Sequence, residues 1–402
     1  MNNLKTIIII ICTLLLLSCS KDKNKSITNI PTYEINLDSL KTNKVGNISS
    51  YFKSVKLIAL ETSDINLIKS IDAVQVKDDY IFILDRSYKR LYCFDKNGKF
   101  IRRIGSVGPG PGEYSSISDF TIDNERIIYI LDRHGYKILS YNLLGEYKHS
   151  ISIKNIDGNS GHIQNYKNTL YLDFQPNEIN SKEDNPLLFK IDKITGELLD
   201  KYLSSDNYNL GFKQVFFRDG SFFYSKGNDI PCYAPPYSNT VFSLKDSVEP
   251  YFTIKSNRLL EKEDIKHLNL SQPFAIANIG MIDKIKSILN FNEVGDKIFC
   301  KYSDGHKFKT IIYSKMTREG VILEKLFDDF VYKSLDESIP HHFGCSVENG
   351  LYSYINVDDF FYFVDYYKSG KLNIKLDQST KDLFNNNITE ESNPLLFFYE
   401  LN

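Results

Sequence analysis

The sequence predicts an all-β protein: a six-bladed β-propeller of four-stranded antiparallel blades, with short helical insertions. Three observations carry that expectation. The 402-residue chain exceeds a typical single domain yet has no Pro/Gly/Ser-rich interdomain linker, which favours repeats over two separate units. Residues 81–101, IFILDRSYKRLYCFDKNGKFI, align without gaps on residues 128–148, IYILDRHGYKILSYNLLGEYK, at an offset of 47, close to a propeller blade period. Within both copies, short β-branched and aromatic runs alternate with turn residues, the pattern of successive hairpins.

In chain order, residues 1–18 come first, with Lys5 in a basic head and an apolar run from Ile7 to Leu17. That run is well short of the roughly 20 residues a spanning helix needs, so it reads as a signal peptide. Leu16-Leu17-Ser18-Cys19 resembles a bacterial lipobox, which implies cleavage before Cys19 and a diacylglycerol on its thiol. An ordinary secretory signal beside a chance cysteine is the alternative. Residues 19–49 read as the lipidated cysteine, a polar tether opening Ser20-Lys21-Asp22-Lys23, and a lead-in; residues 50–402 read as the propeller.

The first blade is expected to hold strands at Ile71 to Val76, Tyr80 to Leu84, Arg90 to Phe94 and Lys99 to Ile104, with Asp95-Lys96-Asn97-Gly98 as a turn. In the second, Ile130-Leu131-Asp132-Arg133 repeats Ile83-Leu84-Asp85-Arg86, and Gly145 repeats Gly98. Fainter copies follow. The third has Leu170 to Asp173 and Leu188 to Asp192; the fourth Ser221 to Ser225, Thr240 to Leu244 and Pro250 to Ile254; the fifth Lys297 to Tyr302 and Lys309 to Ser314. The sixth is expected to use His341 through Leu351 to Ile355, Phe360 to Val364 and Leu395 to Leu401. Ser54 to Leu60 is the natural strand to complete it beside Leu395 to Tyr399, closing the ring and protecting its edges. Short helices are expected over 258–268, capped by Ser256-Asn257, and over 379–387.

Between the first two blades, Gly105 to Tyr114 holds four glycines and two prolines. A phosphate cradle needs backbone N–H donors and usually a Lys or Ser/Thr after the last glycine. Here prolines remove two donors, and Glu113-Tyr114 follow Gly112. The stretch therefore reads as the connection from the outer strand of one blade to the inner strand of the next, with Tyr114 buried beneath it.

Leu57-Ile58-Ala59-Leu60-Glu61-Thr62, Ile104-Gly105 running into Gly110-Pro111-Gly112-Glu113-Tyr114, and Glu391-Ser392-Asn393-Pro394-Leu395-Leu396, with the lipobox, resemble the six-bladed β-propeller lipoproteins of Bacteroides-type bacteria. Those are similar in turn to NHL-repeat propellers. The resemblance spans nearly all of residues 50–402. It implies this architecture and an outer-membrane lipoprotein facing the periplasm or the cell surface, and it implies no common activity.

Net charge is −2, about −3 once the signal and its Lys5 are removed, and the basic residues are dispersed, so no nucleic-acid footprint is present. Cys93, Cys232, Cys300 and Cys345 have no CxxC spacing, which disfavours zinc and leaves disulfides and buried thiols both open. The seven histidines follow no HxH or HExxH pattern, and no GxSxG is present; no metal, cofactor or nucleophile is expected. Asp85 and Asp132, repeated before Arg in successive blades, read as turn residues rather than acid/base groups.

Propeller ligands bind where inner strands converge. On the 47-residue register Asp72 aligns with Asp119, and His162 and Gln214 take the corresponding places in the next two units. These residues are expected to line one channel mouth, either binding a cation or polar ligand or satisfying loop N–H groups. Tyr233 and Tyr237, in the proline-stiffened stretch Pro231 to Tyr237, either offer their rings to a sugar or peptide or pack on the blade. Two functions follow: a monomeric, lipid-anchored, non-catalytic binding module for an envelope protein or glycan, or a propeller hydrolase or lyase acting on a carbohydrate or peptide at the mouth.

Overall fold

Strands buried on both faces read as continuous apolar runs, and the middle strands of each blade have that character. In Tyr80–Asp85 and Arg90–Asp95 nearly every residue is buried, whereas the outer strand Tyr147–Ser152 is largely exposed. The computed structural model describes residues 31–156, 160–174, 186–208, 221–225, 230–268, 275–376, 378–386, 388–389 and 392–402. Cys19, Gln214 and Glu391 lie outside the described residues.

Six antiparallel blades form a ring. Blade one contains Ala73–Lys77, Tyr80–Asp85, Arg90–Asp95 and Phe100–Arg103; blade two contains Asp119–Ile122, Ile127–Asp132, Lys137–Asn142 and Tyr147–Ser152. Blade three contains Ile163–Tyr166, Thr169–Asp173, Pro186–Asp192 and Leu198–Ser204. Blade four contains Ser221–Ser225, Ile230–Ala234, Thr240–Leu244 and Val248–Lys255, and blade five Ile285–Val294, Lys297–Asp304, Lys307–Ser314 and Gly320–Phe327. Blade six takes His342–Val347, Gly350–Tyr354 and Leu395–Leu401 from the end of the chain and Phe52–Ala59 from its start. The pairing of Leu395 with Ala59 through Leu401 with Phe52 closes the ring as the sequence leads one to expect.

Three local expectations change. Phe360 to Val364, read as a strand, lies in the helix Val357–Lys368. Phe360, Phe363 and Val364 are its buried residues, at i, i+3 and i+4, while Asp358 and Asp359 favour its first turn. Pro231 to Ala234 belong to a blade strand rather than a loop. The helix expected over 258–268 is the single turn Lys262–Ile265, and it starts at Glu261, whose N–H donates to Asp264 Oδ2 at 2.9 Å. The expected helix at 379–387 is present as Gln378–Asn386.

The segment before residue 50 adds two strands. Tyr33–Asn36 runs parallel to Val248–Lys255 on blade four, and Lys41–Asn47 runs parallel to Gly320–Phe327 on blade five, covering both outer edges. Asp38 fastens the crossing between them, accepting from Ser256 Oγ at 2.6 Å and from the Asn257 N–H at 2.9 Å.

The glycine-rich connection is architectural. Ser106–Val107 pairs with Glu113–Tyr114, and the buried Tyr114 hydroxyl reaches the carbonyls of Lys89 and Ile104 at 3.3 and 3.4 Å. The anion that the loop cradles is its own: the Gly110 N–H donates to Glu113 Oε2 at 2.8 Å. Gly105, with φ +66°, would place a Cβ 2.7 Å from the Tyr141 hydroxyl.

Candidate functional site

Each connection from rim to hub must be held down before it can start an inner strand, and one repeated residue does this. Asp85, Asp132 and Asp173 end the second strands of the first three blades, and all three are buried. Asp85 accepts from the Lys69 and Tyr88 N–H groups at 2.6 and 2.8 Å, and Asp132 from those of Ser115 and Gly135 at 2.8 and 2.9 Å. Each carboxylate thus ties the incoming connection to its own blade's turn. Asp173 departs from this pattern. It accepts from the Gly161 and His162 N–H groups at 2.8 and 2.7 Å, and its other oxygen meets His162 Nδ1 at 2.8 Å.

These anchored connections place Asp72, Asp119 and His162 together with Arg86 around one end of a central channel of about 320 Å³. Lys77, at the end of its inner strand, and Asn124, in the turn after the next one, lie toward its other end. The three residues expected at the mouth are brought together, but in a different register. Ala73, Asp119 and Ile163 pair with the equivalent leucines Leu84, Leu131 and Leu172, so the counterpart of Asp72 and His162 is Ser118. Asp119 sits one position further along its strand because the turn after it is longer, Asn124 to Arg126 against Asp78-Asp79. Its carboxylate accepts the Ile163 N–H of the next blade at 3.0 Å, stitching the two inner strands.

Opposite charges alternate around the mouth. The exposed Asp72 accepts from Ser70 Oγ at 2.7 Å and from the Arg86 N–H at 2.8 Å, and Arg86 Nε donates to the Ser118 carbonyl at 2.6 Å. Burial alone disfavours charge on His162, but Asp173, with its hydrogen bond, and Asp119 outweigh it and push the imidazole up to about 9. Burial raises the Asp119 carboxyl, opposed by the charges of His162 and Arg86. His162 is therefore an imidazolium at neutral pH. Among the described residues, no group of three or more His, Cys, Asp or Glu is placed to hold a metal ion.

Tyr233 and Tyr237 are not brought to the mouth. Tyr233 packs between blades three and four with Leu187 and Phe242, and Tyr237 packs with Leu260, Ile265 and Ile279. Cys93, Cys232 and Cys300 are buried and Cys345 half-buried, all as free thiols. Sequence reasoning missed Arg86 as a mouth residue and Asp173 as the buried partner of His162. The available signal was the repeated Leu-Asp step at Leu84-Asp85, Leu131-Asp132 and Leu172-Asp173.

Several proteins share this architecture. A Bacteroides fragilis protein provisionally classed as exported aligns at a TM-score of 0.72 and 18% identity, covering 92% of this chain and 99% of its own. A DUF4221 family member from Bacteroides vulgatus aligns at 0.51 and 12% identity, covering 87% of this chain and 97% of its own. At such identities the likeness establishes the fold alone. Virginiamycin B lyase from Staphylococcus aureus aligns at 0.40 and 11% identity over 75% of this chain and 81% of its own, too slight a likeness to bear on chemistry. No curated protein matches the sequence. The model of a family described as a domain of unknown function, DUF4934, matches residues 32–400, and the chain belongs to that family.

Proposed function

We propose that this protein is a lipid-anchored propeller of the cell envelope that binds a polar group of a protein or glycan at the channel mouth without transforming it. One observation carries the binding reading: His162 and the carboxylates around it, Asp119 and Asp173, are already committed. A general base works best with a pKa near the working pH, whereas His162 is held protonated up to about 9 by Asp173 and Asp119. Asp173 itself is occupied by two backbone N–H groups and the imidazole. Asp72 and Arg86 remain the groups best placed to meet a ligand.

The anchor rests on the lipobox and on Cys19. A tether from Cys19 would join the fold near Tyr33, on the outer edge of blade four rather than at the mouth. At roughly 3.3 to 3.6 Å per residue, the intervening segment reaches at most about 50 Å from the lipid. Among the described residues no helix is long and apolar enough to cross a membrane.

Capture from envelope extract and from a glycan panel, with and without chelator, tests the reading. Wild type should retain one partner with chelator present, and an Asp72→Ala/Arg86→Ala variant should lose it. Turnover of a captured glycan would favour the hydrolase or lyase instead.

A further inference from the structure

Between blades five and six lies a cleft of about 830 Å³, within the size range of small-molecule sites. It meets the channel at Asn290, Phe343 and Tyr354. One wall is a face of blade five. Lys301 opposes Thr310, which opposes Leu323, and residues two apart on a strand share a face. Phe299, Lys301, Phe308, Thr310 and Lys325 therefore project to one side. The facing wall comes from Leu335, Ile339 and Pro340 in the connection and from His342 and Phe343 on blade six.

The walls are mainly apolar, and two lysines, Lys301 and Lys325, stand among them. Lys301 is half-buried, with its ammonium 5.4 Å from the centre of the Phe308 ring. Among the described residues no carboxylate pairs with Lys301 or Lys325. Burial lowers the Lys301 pKa, and no carboxylate offsets that cost. Three acids border the cleft and none of them faces Lys301: Glu324 is exposed on the strand face opposite Leu323 and Lys325. Asp328 is buried and accepts from the Tyr399 hydroxyl and from the Val331 N–H, the latter at 3.2 Å. Asp336 is exposed to solvent. His341 is closed into the same network, with Nδ1 2.7 Å from the Tyr399 hydroxyl and Nε2 3.0 Å from that of Tyr332.

We infer that this cleft binds a small amphipathic organic anion, its acidic group against Lys301 and its apolar body along Phe308, Ile339 and Phe343. A half-buried cation without a partner is completed by an anion, and the surrounding rings exclude one that is wholly hydrated. This site is separate from the mouth groups Asp72 and Arg86, so its fate does not depend on theirs.

The test uses the folded chain and two fluorescent probes that differ in charge, anilinonaphthalene sulfonate and neutral N-phenylnaphthylamine. Wild type should bind the sulfonate one to one, and octanoate should displace it. Lys301→Met should weaken the sulfonate by roughly tenfold or more, the worth of a charge-assisted contact, and leave the neutral probe nearly unchanged. Lys301→Arg should restore the sulfonate, and Phe308→Ala should weaken both probes. Lys307→Met, on the opposite face of the same hairpin, controls for net charge. Equal sulfonate binding by Lys301→Met and wild type, an equal loss in Lys307→Met, or no binding by wild type would each overturn the inference. Matching thermal melts guard against probe binding to a loosened fold.

Discussion

Replacing Asn393 by alanine removes three hydrogen bonds from the seam where the ring closes. The side chain is buried; its Oδ1 accepts from the Ile68 N–H at 2.8 Å, and its Nδ2 donates to the Glu61 and Asn66 carbonyls at 2.7 and 3.0 Å. Each bond contributes about 1 kcal/mol net, and a buried N–H left without a partner costs about 1–3 kcal/mol more. The expected loss is about 4–6 kcal/mol, a large share of a typical stability of about 5–15 kcal/mol. Asn393→Asp should cost at least as much, because a carboxylate there faces two carbonyls. Urea unfolding followed by circular dichroism and by tyrosine fluorescence measures this, the chain having 27 tyrosines and no tryptophan. An Asn393→Ala loss below about 1 kcal/mol would refute the view that this residue locks the closure.

Other perturbations have equally definite outcomes. The His162 pKa is raised in the fold from 6.5 to about 9, so its linked stability is fully present below pH 6.5 and is lost as pH climbs through about 9. Unfolding free energies from urea titrations across that window should fall for wild type, by up to about 3 kcal/mol, and stay flatter for His162→Gln. Gly105→Ala sets a Cβ against Tyr141 at a positive φ and should cost about 2–3 kcal/mol in the same assay; an unchanged midpoint would contradict that contact. Cys93, Cys232, Cys300 and Cys345 should react with a thiol reagent only on unfolding, since burial pushes Cys93 and Cys345 up to about 12; a shortfall in free thiols after denaturation would reveal a disulfide.

The blades were readable because buried middle strands leave dense apolar runs at a fixed period, and the closing strand because its partner would otherwise be an open edge. The strap was not. Lys41–Asn47, KTNKVGN, has little strand character of its own and pairs because Gly320–Phe327 offers an edge. Phe360 to Val364 misled because a short apolar run carries no period that separates strand from helix. At the mouth, Asp72, Asp119 and His162 meet, but the repeat's register slips by one at Asp119, since a turn one residue longer is invisible to an ungapped repeat. The pairing of His162 with Asp173 depends on the folded connection. The Leu57–Thr62 and Asn393-Pro394 markers become intelligible once Asn393 is seen to bind the Glu61 carbonyl and to donate its N–H to Thr62 Oγ1.

Binding without turnover at the mouth has a direct calorimetric test. Calorimetric titration of the captured partner into wild type and into Asp72→Ala/Arg86→Ala, with mass analysis of the partner afterwards, tests it most directly. Saturable binding by wild type, at least a tenfold loss in the variant and an unaltered partner mass are predicted. A partner that leaves the titration cleaved or eliminated, or one that binds the variant as tightly as wild type, would contradict it.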